Sequence, residues 1–212
     1  MSASAGEPSV RFPRGVLTEV IPAGSAIVRV HHQAYSPLWF GPQPGVPPQH
    51  RFDAPNGEYR TLYCAARLAG AFVESVLRRP GRIVSRAYLE ERVWSELTVR
   101  RTLRLAKLRD EGLHWHGTDA AISASHDYTV PRRLAVALYT AFPDIDGVTY
   151  RARHNNGEVC YALFDRVSTD LLPGAPQRFA EKGAEIDRLM ALHGALFDTG
   201  PPVPPPQAGD GV

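Results

Sequence analysis

The sequence predicts an α+β fold, a central mixed or mainly antiparallel sheet with flanking helices. Three observations lead there. Strand-like and helix-like patterns follow one another irregularly instead of alternating as βαβ units. No segment repeats along the chain. At 212 residues, with 43% hydrophobic and 22% charged side chains, the composition is that of a packed globular domain, in which one core can bury roughly 70% of the unfolded chain's surface.

The elements can be read in order. Residues 1–14 are small, polar and proline-punctuated and are expected to form a flexible tail. Ala26 to His31 carries Ile27, Val28 and Val30 and predicts an early strand. Ser36 to Gln49 holds five prolines and two glycines around Trp39 and Phe40, a loop whose aromatic pair is expected to pack on the protein's own core. Arg60 to Tyr63 reads as a strand, and Ala65 to Leu77 as a helix with Leu68, Ala69, Phe72 and Val76 at helical spacing. Alternation at Val93, Ser95, Leu97 and Val99 predicts a strand, and Leu103 with Leu105 another. A second helix follows Thr129, read as its cap, with Pro131 in the first turn and Leu134, Ala135, Leu138 and Phe142 on the buried side. Val148–Tyr150 and Val159–Phe164 predict a hairpin around Asn155-Asn156-Gly157. Arg178 to Phe197 reads as a third helix interrupted at Gly183, and 199–212 as a proline-rich tail. The expected organisation is one domain over residues 15–198.

Several functional classes are excluded or disfavoured. The longest apolar runs fall far short of the roughly 18 residues needed to span a bilayer, and Met1 to Pro8 lacks the pattern of a secretory signal. The cytoplasm is the expected compartment, in keeping with only two cysteines, Cys64 and Cys160. The chain has no Gly-x-Gly-x-x-Gly after a strand, no Walker-type Gly-Lys-Ser/Thr, no His-Glu-x-x-His and no Gly-x-Ser-x-Gly. His114 and His116 flank Trp115 at a spacing that would put both rings on one side of a strand, but no third ligand is near, so no metal site is expected.

The net charge of +2 argues for neither nucleic acid nor membrane. Between Arg78 and Arg109, ten basic side chains face three acidic ones. The ordinary reading is a solvated basic face; a nucleic-acid-binding module is the alternative, without a helix-turn-helix pattern to support it.

The informative block is His50-Arg51-Phe52, then Glu58-Tyr59-Arg60-Thr61-Leu62-Tyr63-Cys64-Ala65-Ala66, then Ala71-Phe72-Val73-Glu74. With Arg29-Val30-His31 upstream and Asp146-Gly147-Val148-Thr149-Tyr150-Arg151-Ala152-Arg153-His154 downstream, it resembles the RES-domain family over about Arg29 to Arg166. Residue types, order and spacing agree together. The resemblance implies an ADP-ribosyltransferase-like fold that binds NAD as a substrate and breaks its nicotinamide–ribose bond, by phosphorolysis or hydrolysis or with transfer of ADP-ribose to a protein. It also implies a toxin held in check by an Xre-type antitoxin, with a homo-oligomer possible in that complex. It implies no resident cofactor, with phosphate as a potential co-substrate.

The chemistry accounts for the residue types. A guanidinium offers a planar fork of donors to a pyrophosphate, so Arg29 and Arg51 are the expected clamps. Loss of nicotinamide leaves an oxocarbenium-like ribose that a carboxylate can stabilise, a role assigned to Glu74. Tyr63 is expected at the nicotinamide end, and His31 in the same pocket, where the family commonly carries Tyr. Outside the block each has an ordinary reading: Glu74, for example, would form a helix-surface pair with Arg78, four residues on. One departure from the family is evident. Two residues after Tyr150, where the family usually has Ser, the chain has Ala152. Ser123 or Ser125 would be the substitute hydroxyls, and Arg151 and Arg153 flank the gap as receivers of an anionic acceptor. An inert fold kept as an interaction module is the reading Ala152 favours on its own.

Overall fold

A computed structural model describes residues 10–78 and 83–198. The expected tail over 199–212, most of the N-terminal tail, and Arg79 and Arg82 of the basic stretch lie outside them. The fold is α+β, as expected, around one nine-stranded sheet. Its strands are β1 (Thr18–Ile21), β2 (Ala26–His32), β3 (Thr61–Ala65), β5 (Arg92–Val99), β6 (Leu103–Lys107), β7 (Gly147–Ala152), β8 (Asn155–Phe164), β9 (Leu171–Pro173) and β10 (Gln177–Arg178). Two short strands, β4 (Ile83–Val84) and β11 (Leu196–Phe197), pair in parallel apart from it. The helices are α1 (Leu68–Ser75), α2 (Arg86–Glu90), α3 (Glu111–Trp115), α4 (Ala121–Ala124), α5 (Thr129–Ala141) and α6 (Gly183–Leu192).

The sheet runs β1-β6-β7-β8-β3-β2-β5-β10, with β9 also on β5. Only β6 and β7 are parallel within it, and α3, α4 and α5 make the crossover between them. Period-two alternation sorts the strands onto two cores. Val28, Ala65, Ala106, Val148, Tyr150 and Ala162 face the core that α1, α5 and α6 cover. Ile27, Leu62, Cys64, Leu97 and Leu105 face the other, closed by Phe40 of the proline-rich loop and by Val167 and Leu171. Each fully buried large side chain, such as Phe72 or Leu97, contributes roughly 1.5–3 kcal/mol.

One irregularity shapes the molecule. β2 and β3 are in register only at Val28 and Ala65, so beyond that point the sheet splits. The proline-rich loop enters the split, where Gly41 bridges Thr61 through paired backbone bonds of 3.1 and 2.7 Å. Above it α1 approaches closely because Gly70 has no Cβ; one there would stand 3.0 Å from the Ala65 Cβ and 3.2 Å from Glu158.

Several expectations are corrected. The first helix begins at Leu68, since Ala65 completes β3. Thr129 is the first residue of α5 and no cap; its N–H donates to Asp127 Oδ1 at 2.8 Å. The hairpin turns at Arg153–His154, and Asn155-Asn156-Gly157 opens β8. The third helix is a 3-10 turn, Phe179–Lys182, followed by α6, which starts at Gly183, while Phe197 belongs to β11. His114 lies on helix α3 and His116 caps it, so they do not share a strand, and His116 Nε2 donates to the Leu17 carbonyl at 3.3 Å. Within the expected N-terminal tail, Val10 and Phe12 pack on the core, Phe12 edge-on to Phe142 at 5.2 Å.

Candidate active site

The sequence block comes together beside the split. Glu74, at the last turn of α1, is half-buried, and its Oε1 accepts the Arg153 backbone N–H at 2.7 Å. Arg153 occupies the β7–β8 turn, so the end of α1 is tied to the end of the hairpin. The surface pair with Arg78 does not form. The helix stops at Ser75, and Arg78 turns away to donate to His50 Nδ1 at 2.9 Å and to the Tyr128 hydroxyl at 3.3 Å. Because a guanidinium only donates, His50 Nδ1 is an acceptor and its proton sits on Nε2.

Arg51 is buried, 7% exposed, with Nη1 donating to the Ile122 carbonyl at 3.2 Å and its Cζ 4.8 Å above the Tyr128 ring. Its Nε and Nη2 take no hydrogen bond among the described residues. Burial lowers its pKa from the ordinary value, and the nearby phenols and Glu74 oppose the effect. The turn that carries it is built by Asp53, a fully buried carboxylate. Its Oδ2 accepts the N–H groups of Gln49 and His50 at 2.9 and 2.7 Å, and its Oδ1 accepts the Tyr63 hydroxyl at 2.9 Å. The same hydroxyl accepts the Phe52 N–H at 2.9 Å, so Tyr63 holds the Arg51 turn with its oxygen and offers only its ring, edge-on to His50 at 5.3 Å. Burial, then the charge of Asp53, push that phenol well above its usual range.

Arg29 and His31 stand on the other lip, on the strand face of Ile27, opposite to that of Tyr63. Arg29 donates through Nη1 to the Pro37 and Trp39 carbonyls at 3.1 and 2.8 Å, which fixes the proline-rich loop. Burial lowers its guanidinium to about 10, still cationic at neutral pH. Its charge reaches His50, but no hydrogen bond joins it to the Glu74 group among the described residues. Both His31 nitrogens are in use: Nδ1 faces the His32 carbonyl at 3.1 Å, and Nε2 accepts from Ser95 Oγ at 3.0 Å. Burial lowers its pKa, so the ring is neutral.

Ala152 is fully buried beside Tyr150 in the core under α1. Both proposed substitute hydroxyls bond backbone, Ser123 as donor and Ser125 as acceptor. Ser123 Oγ donates to the Ala120 carbonyl at 3.3 Å, and Ser125 Oγ accepts the Asp127 N–H at 2.9 Å. Arg151 pairs with Asp110 at 3.2 Å, whereas the Arg153 guanidinium meets only His126 among the described residues.

Residues given no role in the site by the sequence complete it: His50, Asp53, Arg78, Tyr128 and Arg132. Arg132 donates to the His50 and Pro48 carbonyls, each at 3.0 Å, with its Cζ 5.4 Å over the Tyr128 ring. Burial alone would raise the Tyr128 phenol, but the hydrogen bond from Arg78 and the charges of Arg78, Arg51 and Arg153 outweigh it and lower the pKa. Arg29, Arg51, Arg78, Arg132 and Arg153 therefore form no ion pair with a carboxylate among the described residues. Four basic side chains farther along the chain do: Arg101 with Asp146 at 2.7 Å, Lys107 with Glu111 at 2.7 Å, and Arg104 and Arg109 with Asp144 and Glu19. No group of three or more His, Cys, Asp and Glu suited to a metal occurs among the described residues, nor is any helix there long and apolar enough to cross a membrane.

Comparison with known proteins bears on the chain as a whole. The RES domain family matches residues 26–180. No curated protein matches the chain. Among solved structures, a chain of the M. tuberculosis MbcT–MbcA toxin–antitoxin complex is similar in fold, with a TM-score of 0.58 at 13% identity, over 81% of this chain and 92% of that one.

Proposed function

Since the chain belongs to the RES-domain family, we propose that it is a toxin-type enzyme that cleaves the nicotinamide–ribose bond of NAD and is restrained by an Xre-type antitoxin. The observation that carries this reading is the set of guanidiniums without carboxylate partners gathered beside one half-buried carboxylate, Glu74. Carboxylate-free guanidiniums are a receptor for an anionic ligand, and a carboxylate held by one backbone N–H beside them, Glu74, suits a reaction in which positive charge develops, while Asp53 is taken up by the Gln49 and His50 N–H groups and the Tyr63 hydroxyl. The similarity in fold to a chain of a toxin–antitoxin complex supports the toxin role and a protein partner.

In this reading Arg51, with Nε and Nη2 unbonded, takes the pyrophosphate, joined by Arg29 from the opposite lip. The Tyr63 ring faces nicotinamide, and His31 supports that lip through Ser95 and His32. The bond from ribose C1 to the pyridinium nitrogen breaks with its electron pair leaving on nicotinamide, which departs neutral and needs no proton. The oxocarbenium-like ribose faces Glu74. Attack by phosphate gives ADP-ribose 1″-phosphate, attack by water gives ADP-ribose and a proton, and attack by a protein side chain gives a modified protein. Arg153, whose backbone N–H donates to Glu74 and whose guanidinium has no carboxylate partner among the described residues, is the candidate receiver of a phosphate.

Serine introduced at the family position, Ala152→Ser, is expected to leave NAD turnover equal or higher, measured as nicotinamide release. A folded Ala152→Ser protein without turnover would break the match between Ala152 and the family's serine. The proposed role is tested in cells by expressing the chain alone. It is expected to deplete NAD and stop growth, and co-expression of a neighbouring antitoxin is expected to reverse both. Growth and NAD unchanged in cells that contain the folded, unpartnered protein would count against it, as would toxicity that persists with Glu74→Gln.

A further inference from the structure

Tyr128 touches three of the guanidiniums that have no carboxylate partner among the described residues. Arg51 and Arg132 lie over its ring at 4.8 and 5.4 Å, and Arg78 donates to its hydroxyl at 3.3 Å. Three like charges brought together repel one another, and something must hold them in place. Elsewhere in this protein carboxylates do so, as Asp146 does for Arg101. A carboxylate ion-paired with these guanidiniums would cancel the charge that a ligand needs and compete for the same donors. An aromatic face holds a guanidinium through its quadrupole and leaves the net charge intact.

We propose that Tyr128 is a positioning residue that holds Arg51, Arg78 and Arg132 ready for a diphosphate without neutralising them. The inference rests on the reading of the cleft as a site for a dinucleotide. The loop before α5 is shaped for the task. Ser125 Oγ accepts the Asp127 N–H, Asp127 Oδ1 accepts the Thr129 N–H, and the Tyr128 carbonyl accepts the Arg132 N–H at 3.0 Å, so the ring is presented from a braced turn. Tyr128 needs no contact with the ligand; it acts through the guanidiniums, above all Arg51, whose Nε and Nη2 stay unbonded.

The test compares Tyr128→Phe, Tyr128→Leu and Tyr128→Glu with the unaltered protein, using ADP as the unreactive diphosphate probe in calorimetry and NAD in turnover assays. Phenylalanine keeps the ring and is expected to bind ADP within about threefold of the unaltered protein, whereas leucine weakens ADP binding and raises KM for NAD by about tenfold or more, with kcat within about threefold. Glutamate holds the guanidiniums as an ion pair, so it is expected to melt at or above the leucine variant's temperature and yet bind ADP at least as poorly. A merely structural role predicts the reverse for glutamate, retained stability with retained binding. Leucine and glutamate variants that bind ADP as the unaltered protein does would overturn this inference alone. An unaltered protein that binds neither ADP nor NAD would overturn the reading of the cleft together with it.

Discussion

Glu74→Gln is expected to lower NAD turnover by about 100- to 1,000-fold, the usual cost of removing one fixed electrostatic stabiliser of a transition state, while the protein melts as before. Glutamine keeps the shape of the side chain and an oxygen for the Arg153 N–H, so the tie between α1 and the hairpin survives. What is lost is the charge that faces the ribose cation. The deficit should lie in kcat, because the carboxylate meets full positive charge on the ribose only as nicotinamide leaves. A glutamine variant that turns over at the original rate would return Glu74 to a purely structural role at the end of its helix.

Arg51→Gln is expected to lower kcat/KM for NAD by roughly 30- to 4,000-fold, the equivalent of about 2–5 kcal/mol for truncating a desolvated charge that meets an opposite one. The loss should appear chiefly in KM. Stability should move the other way. Arg51 is buried without a carboxylate, and burial already lowers its pKa; removing an uncompensated charge relieves that cost, so the variant should melt at the same temperature or higher. Arg51→Lys separates charge from shape. Lysine keeps the charge but not the planar fork: with one ammonium N–H on the Ile122 carbonyl, the two left are splayed tetrahedrally from one nitrogen and cannot make the paired, parallel bonds a guanidinium offers a phosphate. Lysine that restores binding to within a few-fold would show that a point charge is enough.

The sheet was legible in the sequence from the β-branched run of β2 and from alternation in β5 and β6, and α5 was legible from its apolar stripe. The hairpin turn was not. Asn155-Asn156-Gly157 is the stronger local turn signal, but Arg153 and His154 are held by contacts from distant segments. Glu74 takes the Arg153 N–H, and the His154 ring donates to the Arg78 carbonyl at 3.0 Å. Tertiary bonds outweighed local preference there. Within the site, the block words led to Arg51, Tyr63, Glu74 and Arg153, which the fold brings together, and to Arg29 and His31, which it sets on the far lip. The ordinary reading of Glu74, a surface pair with Arg78, fails because four-residue spacing implies a shared helix face and the helix ends three residues before Arg78. Tyr128 and Arg132 carry no periodic signal; they reach Arg51 only through the crossover from β6 to β7. Asp53 left no readable trace: the turn an aspartate announces in sequence bonds backbone two residues onward, whereas Asp53 accepts from Gln49 and His50 behind it.

The most direct measurement is to incubate the purified chain with NAD, with and without inorganic phosphate, and identify the products by mass spectrometry. Release of nicotinamide together with ADP-ribose 1″-phosphate or ADP-ribose is the predicted result, and the share of each names the acceptor. NAD left intact in both conditions by a folded protein freed of any bound partner would contradict the assignment of this cleft to NAD cleavage.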